Sequence, residues 1–214
     1  MLGNAHRKKH LTPFQIISGS FALVILTGAV LLMLPSSSKT GTFTPFNEAL
    51  FTSTSAVCVT GLVVRDTASS WSYFGQIIIL LLIQIGGLGV ITVGASFALL
   101  SRRKISLMQR TTMQEAIAAP KMGGVVNLTQ FILKATFCTE LLGALCLIPV
   151  FVPKYGARGI WMSVFHSISA FCNAGFDLMG TKAKPFVSLT SYYWHPGVVI
   201  VIMSLIICGG IGFL

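Results

Sequence analysis

The sequence predicts an all-α, multi-pass membrane protein built from tandem units of helix, re-entrant loop and helix. Three observations predict it. Hydrophobic residues make up 54% of the chain and charged residues only 9%, too few charges to cover a water-facing surface. The apolar residues fall in long runs rather than in the periodic stripes of soluble helices. A short motif is also written twice, 114 positions apart: Ser55-Ala56-Val57-Cys58-Val59-Thr60-Gly61-Leu62 and Ser169-Ala170-Phe171-Cys172-Asn173-Ala174-Gly175-Phe176. The pairs Phe51/Phe165, Ser53/Ser167, Ser55/Ser169, Ala56/Ala170, Cys58/Cys172 and Gly61/Gly175 are identical.

The first apolar run, Phe14 to Leu34, gives about 31 Å of helix at 1.5 Å per residue, enough to cross the hydrocarbon core. A cleavable signal is the weaker reading, because the run exceeds a signal core and Leu34-Pro35-Ser36 does not have small residues at both cleavage-site positions. After Pro35 and Pro45 comes a stretch of mixed polarity, Phe46 to Ser55, compatible with a helix of about 15 to 18 Å. Such a helix reaches only the middle of a bilayer, so the chain must turn there and come back, and Gly61 is where a turn is least hindered. A second span is expected over roughly Trp71 to Leu100, containing Gly86-Gly87-Leu88-Gly89.

Residues 101–125 read as a connector, basic and broken by Pro120 and Gly123-Gly124, suited to an amphipathic surface helix or a docking site for a cytoplasmic partner. The cycle then restarts. A third span covers about Val126 to Val152, a second half-length helix runs from Ile160 to Phe171, and a fourth span starts near Pro196. Tyr192, Tyr193 and Trp194 suit the membrane interface between them. Gly209-Gly210-Ile211-Gly212 repeats the earlier glycine cluster at an offset of 123, so the second unit carries nine more residues between loop and helix. Leu100 stands 11 positions after Gly89, yet only two residues follow Gly212. The expectation is therefore the N-terminal part of a longer protein: a first unit 1–100, the connector 101–125 and a second unit 126–214 with a shortened last helix.

A net charge of +10 would suggest nucleic acid in a soluble domain. Here Arg7, Lys8 and Lys9 precede the first span and Arg102, Arg103 and Lys104 follow the second, which reads as topology with both clusters and the N-terminus cytoplasmic. Lys154, Arg158, Lys182 and Lys184 fall on the outer side and depart from that bias. The expected location is the cell membrane, with lipid as a partner and no nucleic acid.

The chemistry of the repeated loops is that of an ion pore. A bare cation cannot enter hydrocarbon, so a pore replaces its water shell with oxygens, and backbone carbonyls do so without adding net charge. The C-terminal end of each short helix carries partial negative charge toward the waiting ion. Gly61 and Gly175 let the backbone turn, while Thr60 adds a hydroxyl and Asn173 an amide. A lone loop glycine is ordinarily a cap or tight turn; two in register, each after a half-span helix, favour a filter. The glycines at 86, 87, 89, 209, 210 and 212 read first as close helix packing and second as a gate.

Ionisable residues in spans are functional candidates. Lys134 reads as snorkelling to the interface, and Glu140 as pairing across helices or hydrogen-bonding a loop backbone. His166 reads as a hydrogen-bonded structural residue before a pH sensor. The five cysteines show no CxxC or metal-ligand spacing, and no Ser/His/Asp, Cys/His or paired-carboxylate set invites a catalytic reading. An enzyme is not expected, nor any cofactor bound by this chain.

Taken together, Gly28-Ala29-Val30-Leu31-Leu32-Met33-Leu34-Pro35, Ala49-Leu50-Phe51-Thr52, Val59-Thr60-Gly61-Leu62, Gln84-Ile85-Gly86-Gly87-Leu88-Gly89, Gln114-Glu115-Ala116, Phe165-His166-Ser167-Ile168-Ser169-Ala170-Phe171, Asn173-Ala174-Gly175-Phe176 and Gly209-Gly210-Ile211-Gly212-Phe213 resemble the membrane subunit of the Trk/Ktr/HKT potassium transporters, most closely the bacterial KtrB type. The resemblance implies tandem helix/pore-loop/helix repeats of the potassium-channel-like type around a pseudo-fourfold pore, one filter glycine from each of four loops. It implies an ion filter of Val59, Thr60, Gly61, Asn173, Ala174 and Gly175. Cys58 and Cys172 support that filter where the family more often has Thr and Asn. It also implies a homodimer on a cytoplasmic nucleotide-binding ring, transported K+ and stimulation by Na+. The expected function is potassium uptake; the alternatives are a two-pore-loop dimeric cation channel and a non-conducting membrane scaffold with the same fold.

Overall fold

A computed structural model describes residues 12–89, 92, 93, 112, 114 and 125–211. The described helices are α1 (Pro13–Met33), α2 (Phe46–Val57), α3 (Thr67–Ser70), α4 (Tyr73–Leu88), α5 (Val125–Tyr155), α6 (Ala157–Phe171) and α7 (Pro196–Ile211), with 3-10 turns at Pro35–Ser37 and Ser188–Tyr192. Among the described residues no strand forms beyond one antiparallel bridge between Ser38 and Trp71. The basic clusters at 7–9 and 102–104 and most of the connector lie outside the described residues, as do Gly212 and Phe213.

Local chemistry sets the helix ends. Thr12 and Gln15 form a reciprocal capping box in front of Pro13, and α1 stops at Leu34 because Pro35 excludes the helical conformation before it. The Ser37 hydroxyl donates to the Leu31 carbonyl at 2.6 Å, satisfying one of the acceptors that the helix end leaves open. Ser72 caps α4 by accepting from the Gly75 amide at 3.2 Å.

The structure departs from the sequence expectation over the second span. The helix begins at Tyr73 and stops at Gly89, which adopts φ +82, and the Val93 amide donates back to the Gly89 carbonyl at 3.1 Å. The glycine that favours tight packing also supplies the left-handed turn that interrupts the helix. The second half-length helix starts three residues earlier than expected, at Ala157, behind Gly156 at φ +59.

The two halves repeat the same contacts. Ser53 of α2 donates to the Ile25 carbonyl of α1 at 2.7 Å, and Ser167 of α6 donates to the Glu140 carbonyl of α5 at 2.6 Å. Gly28 faces Ser53 and Leu82, while Gly143 faces Ser167 and Leu205; a Cβ at either glycine would lie 2.7 Å from a leucine methyl. In each half a glycine of the long first helix thus admits a serine from the short one. In lipid, where apolar transfer does not drive helix association, such close packing and side-chain hydrogen bonds supply the adhesion.

Among the described residues, two helices, Phe14–Met33 and Val126–Tyr155, are long and apolar enough to cross a bilayer; α4 and α7 are apolar but have 16 described residues each. Their outward faces carry Phe14, Leu23, Leu26, Phe137, Leu141, Leu145, Ile200 and Ile207, all exposed. This is the inverse of a soluble surface. Between the halves lies a buried cluster of Trp71, Ile79, Ile83, Leu147, Phe151, Met162 and Phe165.

Candidate functional site: two facing loops

Both short helices end in the same way. Cys58 closes α2 and Cys172 closes α6. The next residues, Val59 and Asn173, are left-handed at φ +56 and +57. The Thr60 amide then donates to the Ser55 carbonyl at 3.0 Å, and the Ala174 amide to the Ser169 carbonyl at 2.7 Å. These are Schellman closures, in which the second residue past the cap bonds to the third-last helical carbonyl. The left-handed position of that motif belongs ordinarily to glycine. Here it is held by Asn173, which tolerates it, and by Val59, whose branched Cβ makes it a strained position.

Gly61 and Gly175 therefore do not serve as the helix caps. They form a second left-handed position two residues further on, at φ +72 and +71, and they meet. A Cβ on Gly61 would lie 3.1 Å from the Ala174 carbonyl oxygen and 3.3 Å from the Gly175 Cα; one on Gly175 would lie 3.0 Å from the Gly61 Cα. The structure thus brings Gly61 against Ala174 and Gly175, while the Asn173 side-chain amide donates to the Ile206 carbonyl of α7 at 3.4 Å. Cys58 is exposed, whereas Cys172 is partly covered by Gly87 of α4, where an added Cβ would fall 2.6 Å from its sulfur.

The loops are held from behind. On the first, the Ser55 and Thr60 hydroxyls lie 2.9 Å apart in a hydrogen bond. On the second, Ser169 donates to the Phe176 carbonyl at 2.6 Å, and the Leu178 amide donates to Nε2 of His166 at 3.2 Å. Just beyond, Asp177 accepts from the Met179 amide at 2.9 Å. Burial pushes the Asp177 carboxyl above the ordinary aspartate range; the Met179 hydrogen bond opposes that shift and the nearby Asp66 charge adds to it.

Side-chain tethers join the halves. Gln84 of α4 donates to Glu140 of α5 at 2.9 Å, and Trp161 of α6 donates to Gln76 of α4 at 2.8 Å. Asp66, 5% exposed, accepts from the Ser69 amide at 2.7 Å and from the Phe186 amide at 3.0 Å, 120 positions away. Glu140 thus pairs across helices, one of the two roles expected for it, while Lys134 is exposed. Gln76, Trp161 and Asp66 are not singled out by the sequence, and Gln84 enters it only within a motif, with no role of its own. The available signal is polarity without local cause, a glutamine in each of two places along an apolar helix and a lone acid just before a helix.

Residues 4–214 match the TrkH family, described as cation transport protein. The chain belongs to the TrkH family of cation transport proteins. This TrkH chain is 44% identical over 208 residues to the potassium/sodium uptake protein NtpJ of Enterococcus hirae, covering 97% of its own length and 45% of that protein. It is 44% identical over 205 residues to the Ktr system potassium uptake protein B of Bacillus subtilis, with 94% and 44% covered. Against the protein of the same name from Vibrio alginolyticus it is 38% identical over 200 residues, with 93% and 42% covered. The chain spans less than half the length of these relatives. Family, relatives and apolar outer surface together make the TrkH chain a membrane protein.

Proposed function

We propose that this chain lines a potassium-conducting pore, with Val59, Thr60 and Gly61 facing Asn173, Ala174 and Gly175 as an ion filter supported by Cys58 and Cys172. The observation that carries the reading is the meeting of two identically shaped loops at Gly61 and Gly175, each at the C-terminal end of a half-length helix. Positive φ at 59 and 61 in one loop and at 173 and 175 in the other departs from the extended backbone in which carbonyls alternate sides. It favours carbonyls turned together toward the passing ion, with the negative ends of α2 and α6 aimed at the same place. No bond is made or broken in this activity; the chain acts as a transporter and not as an enzyme.

The units run 1–100 and 126–214 around the connector 101–125, with the N-terminus cytoplasmic. Two loops cover half of a fourfold ring. Two further loops come from a longer polypeptide, since the curated relatives are about twice as long, or from a second copy of this chain. The Bacillus subtilis and Vibrio alginolyticus relatives are named as parts of a Ktr system, which favours partner subunits; the family resemblance makes these a regulatory cytoplasmic nucleotide-binding ring, with a homodimer of the complete transporter and stimulation by Na+.

A bacterium lacking its own potassium uptake systems tests the reading. Expression of the gene product is expected to restore growth at limiting potassium and to accelerate K+ uptake; normal membrane accumulation with no uptake supports the non-conducting scaffold instead. Uptake by the 214-residue chain alone favours the two-loop channel, and uptake only by a longer product favours four loops in one polypeptide.

A further inference from the structure

The two loops are alike in shape but not in how they are held. The first unit carries Thr52 in the column where the second carries His166. Thr52 turns its hydroxyl back to the Glu48 carbonyl of its own helix at 2.8 Å, and Ser55 is engaged with Thr60. In the second unit the imidazole bridges instead. Its Nδ1 lies 2.7 Å from the Met162 carbonyl, and its Nε2 faces the Leu178 amide at 3.2 Å. A carbonyl can only accept and an amide N–H can only donate, so Nδ1 carries the proton and Nε2 offers its lone pair. The ring is 2% exposed and packs against Phe151, with centroids 5.6 Å apart.

Leu178 is itself buried and lies three residues past Gly175. Its amide would be an orphan donor if Nε2 were removed, and a buried unmet donor is costly. Ser169, one turn further along the same face of α6, holds the Phe176 carbonyl at 2.6 Å. Two side chains of one helix face therefore fix both ends of the segment 176–178, through which the second loop leaves the site.

Resting on the pore reading above, the geometry points to His166 as a positioning residue: a neutral, Nδ1-protonated imidazole strut that sets the backbone of the second loop through Leu178, with Ser169 as its partner. The second loop is then the stiffer of the two and contributes more to discrimination between ions of different size. His166 touches no ion; it acts through the loop it holds.

The test uses the purified gene product in lipid vesicles, reading the K+ over Na+ flux ratio and the imidazole 15N signals at pH 7. The expected result for His166→Leu is an about tenfold fall in the ratio, the scale of one buried hydrogen bond lost. His166→Gln, which can return an acceptor to Leu178, is expected to recover most of the ratio. Wild-type selectivity in His166→Leu, or equal loss in the Gln and Leu variants, overturns the strut. If the Leu variant fails to accumulate, Ser169→Ala serves in its place: a reduced ratio supports the proposal and an unchanged one overturns it. The 15N signals test the strut without flux. A neutral Nδ1-protonated ring, identified by its absence from His166→Gln, supports it even if the wild type conducts nothing and the pore reading fails; an Nε2-protonated or doubly protonated ring overturns it.

Discussion

At the scale of single residues, one position carries backbone strain beside the proposed filter. Val59 sits left-handed where glycine is the usual occupant, at a cost of order 1–2 kcal/mol, and the next such position is kept for Gly61. The sequence made Gly61 and Gly175 legible because a glycine in register after each half-length helix is a local signal. Asp66 was not legible, because its second partner lies 120 positions away and no local pattern marks it beyond the cap it provides for α3. Removing its carboxylate unseats both amides, so Asp66→Ala is expected to cost about 1–3 kcal/mol. It should lower the thermal midpoint of the detergent-solubilised protein, with Asp66→Asn falling between it and wild type. A midpoint unchanged in Asp66→Ala would show that the tether between the halves carries no stability.

At the scale of elements, the long helices α1 and α5 were readable from the lengths of apolar runs, the short α2 from a stretch of mixed polarity after Pro45, and the end of α1 from Pro35. The break at Gly89 was not, because a glycine cluster signals close packing and a left-handed turn by the same residue type. The structure separates the two uses. A Cβ on Gly86 would sit 2.8 Å from the Val57 carbonyl carbon at the end of α2, and one on Gly209 would sit 2.8 Å from that of Phe171 at the end of α6. The carbonyl oxygens lie closer still. Because the obstacle is backbone, no rotamer relieves it, and each alanine forces a long helix away from the loop it supports. Gly86→Ala and Gly209→Ala are expected to destabilise by about 1–3 kcal/mol each and to reduce folded yield similarly. Gly19→Ala, with nothing within 4 Å, should be neutral or slightly stabilising. Fluorescence-detected size exclusion of the three variants would check this, and equal profiles would argue against the packing role.

At the scale of the whole molecule, two copies of one packing scheme are joined by polar side chains in an apolar setting. Gln84 to Glu140, Gln76 to Trp161 and Asp66 to Phe186 link the units, and the loops meet between them. The matching serine and glycine contacts of the two halves have a counterpart in the repeated motif. The joining contacts have none, since they arise only when two distant segments share one interface. What the arrangement delivers is a pair of left-handed glycines in contact, the proposed lining of a cation filter. The most direct test is the K+ over Na+ flux ratio of the gene product in vesicles, measured for wild type, Gly61→Ser and Gly175→Ser. A side chain at either site forces a left-handed conformation that costs about 1–2 kcal/mol and intrudes on the opposite loop, so the ratio is expected to fall about tenfold or more in both variants. Ratios equal to wild type in variants that accumulate normally would contradict the assignment of these loops as the filter.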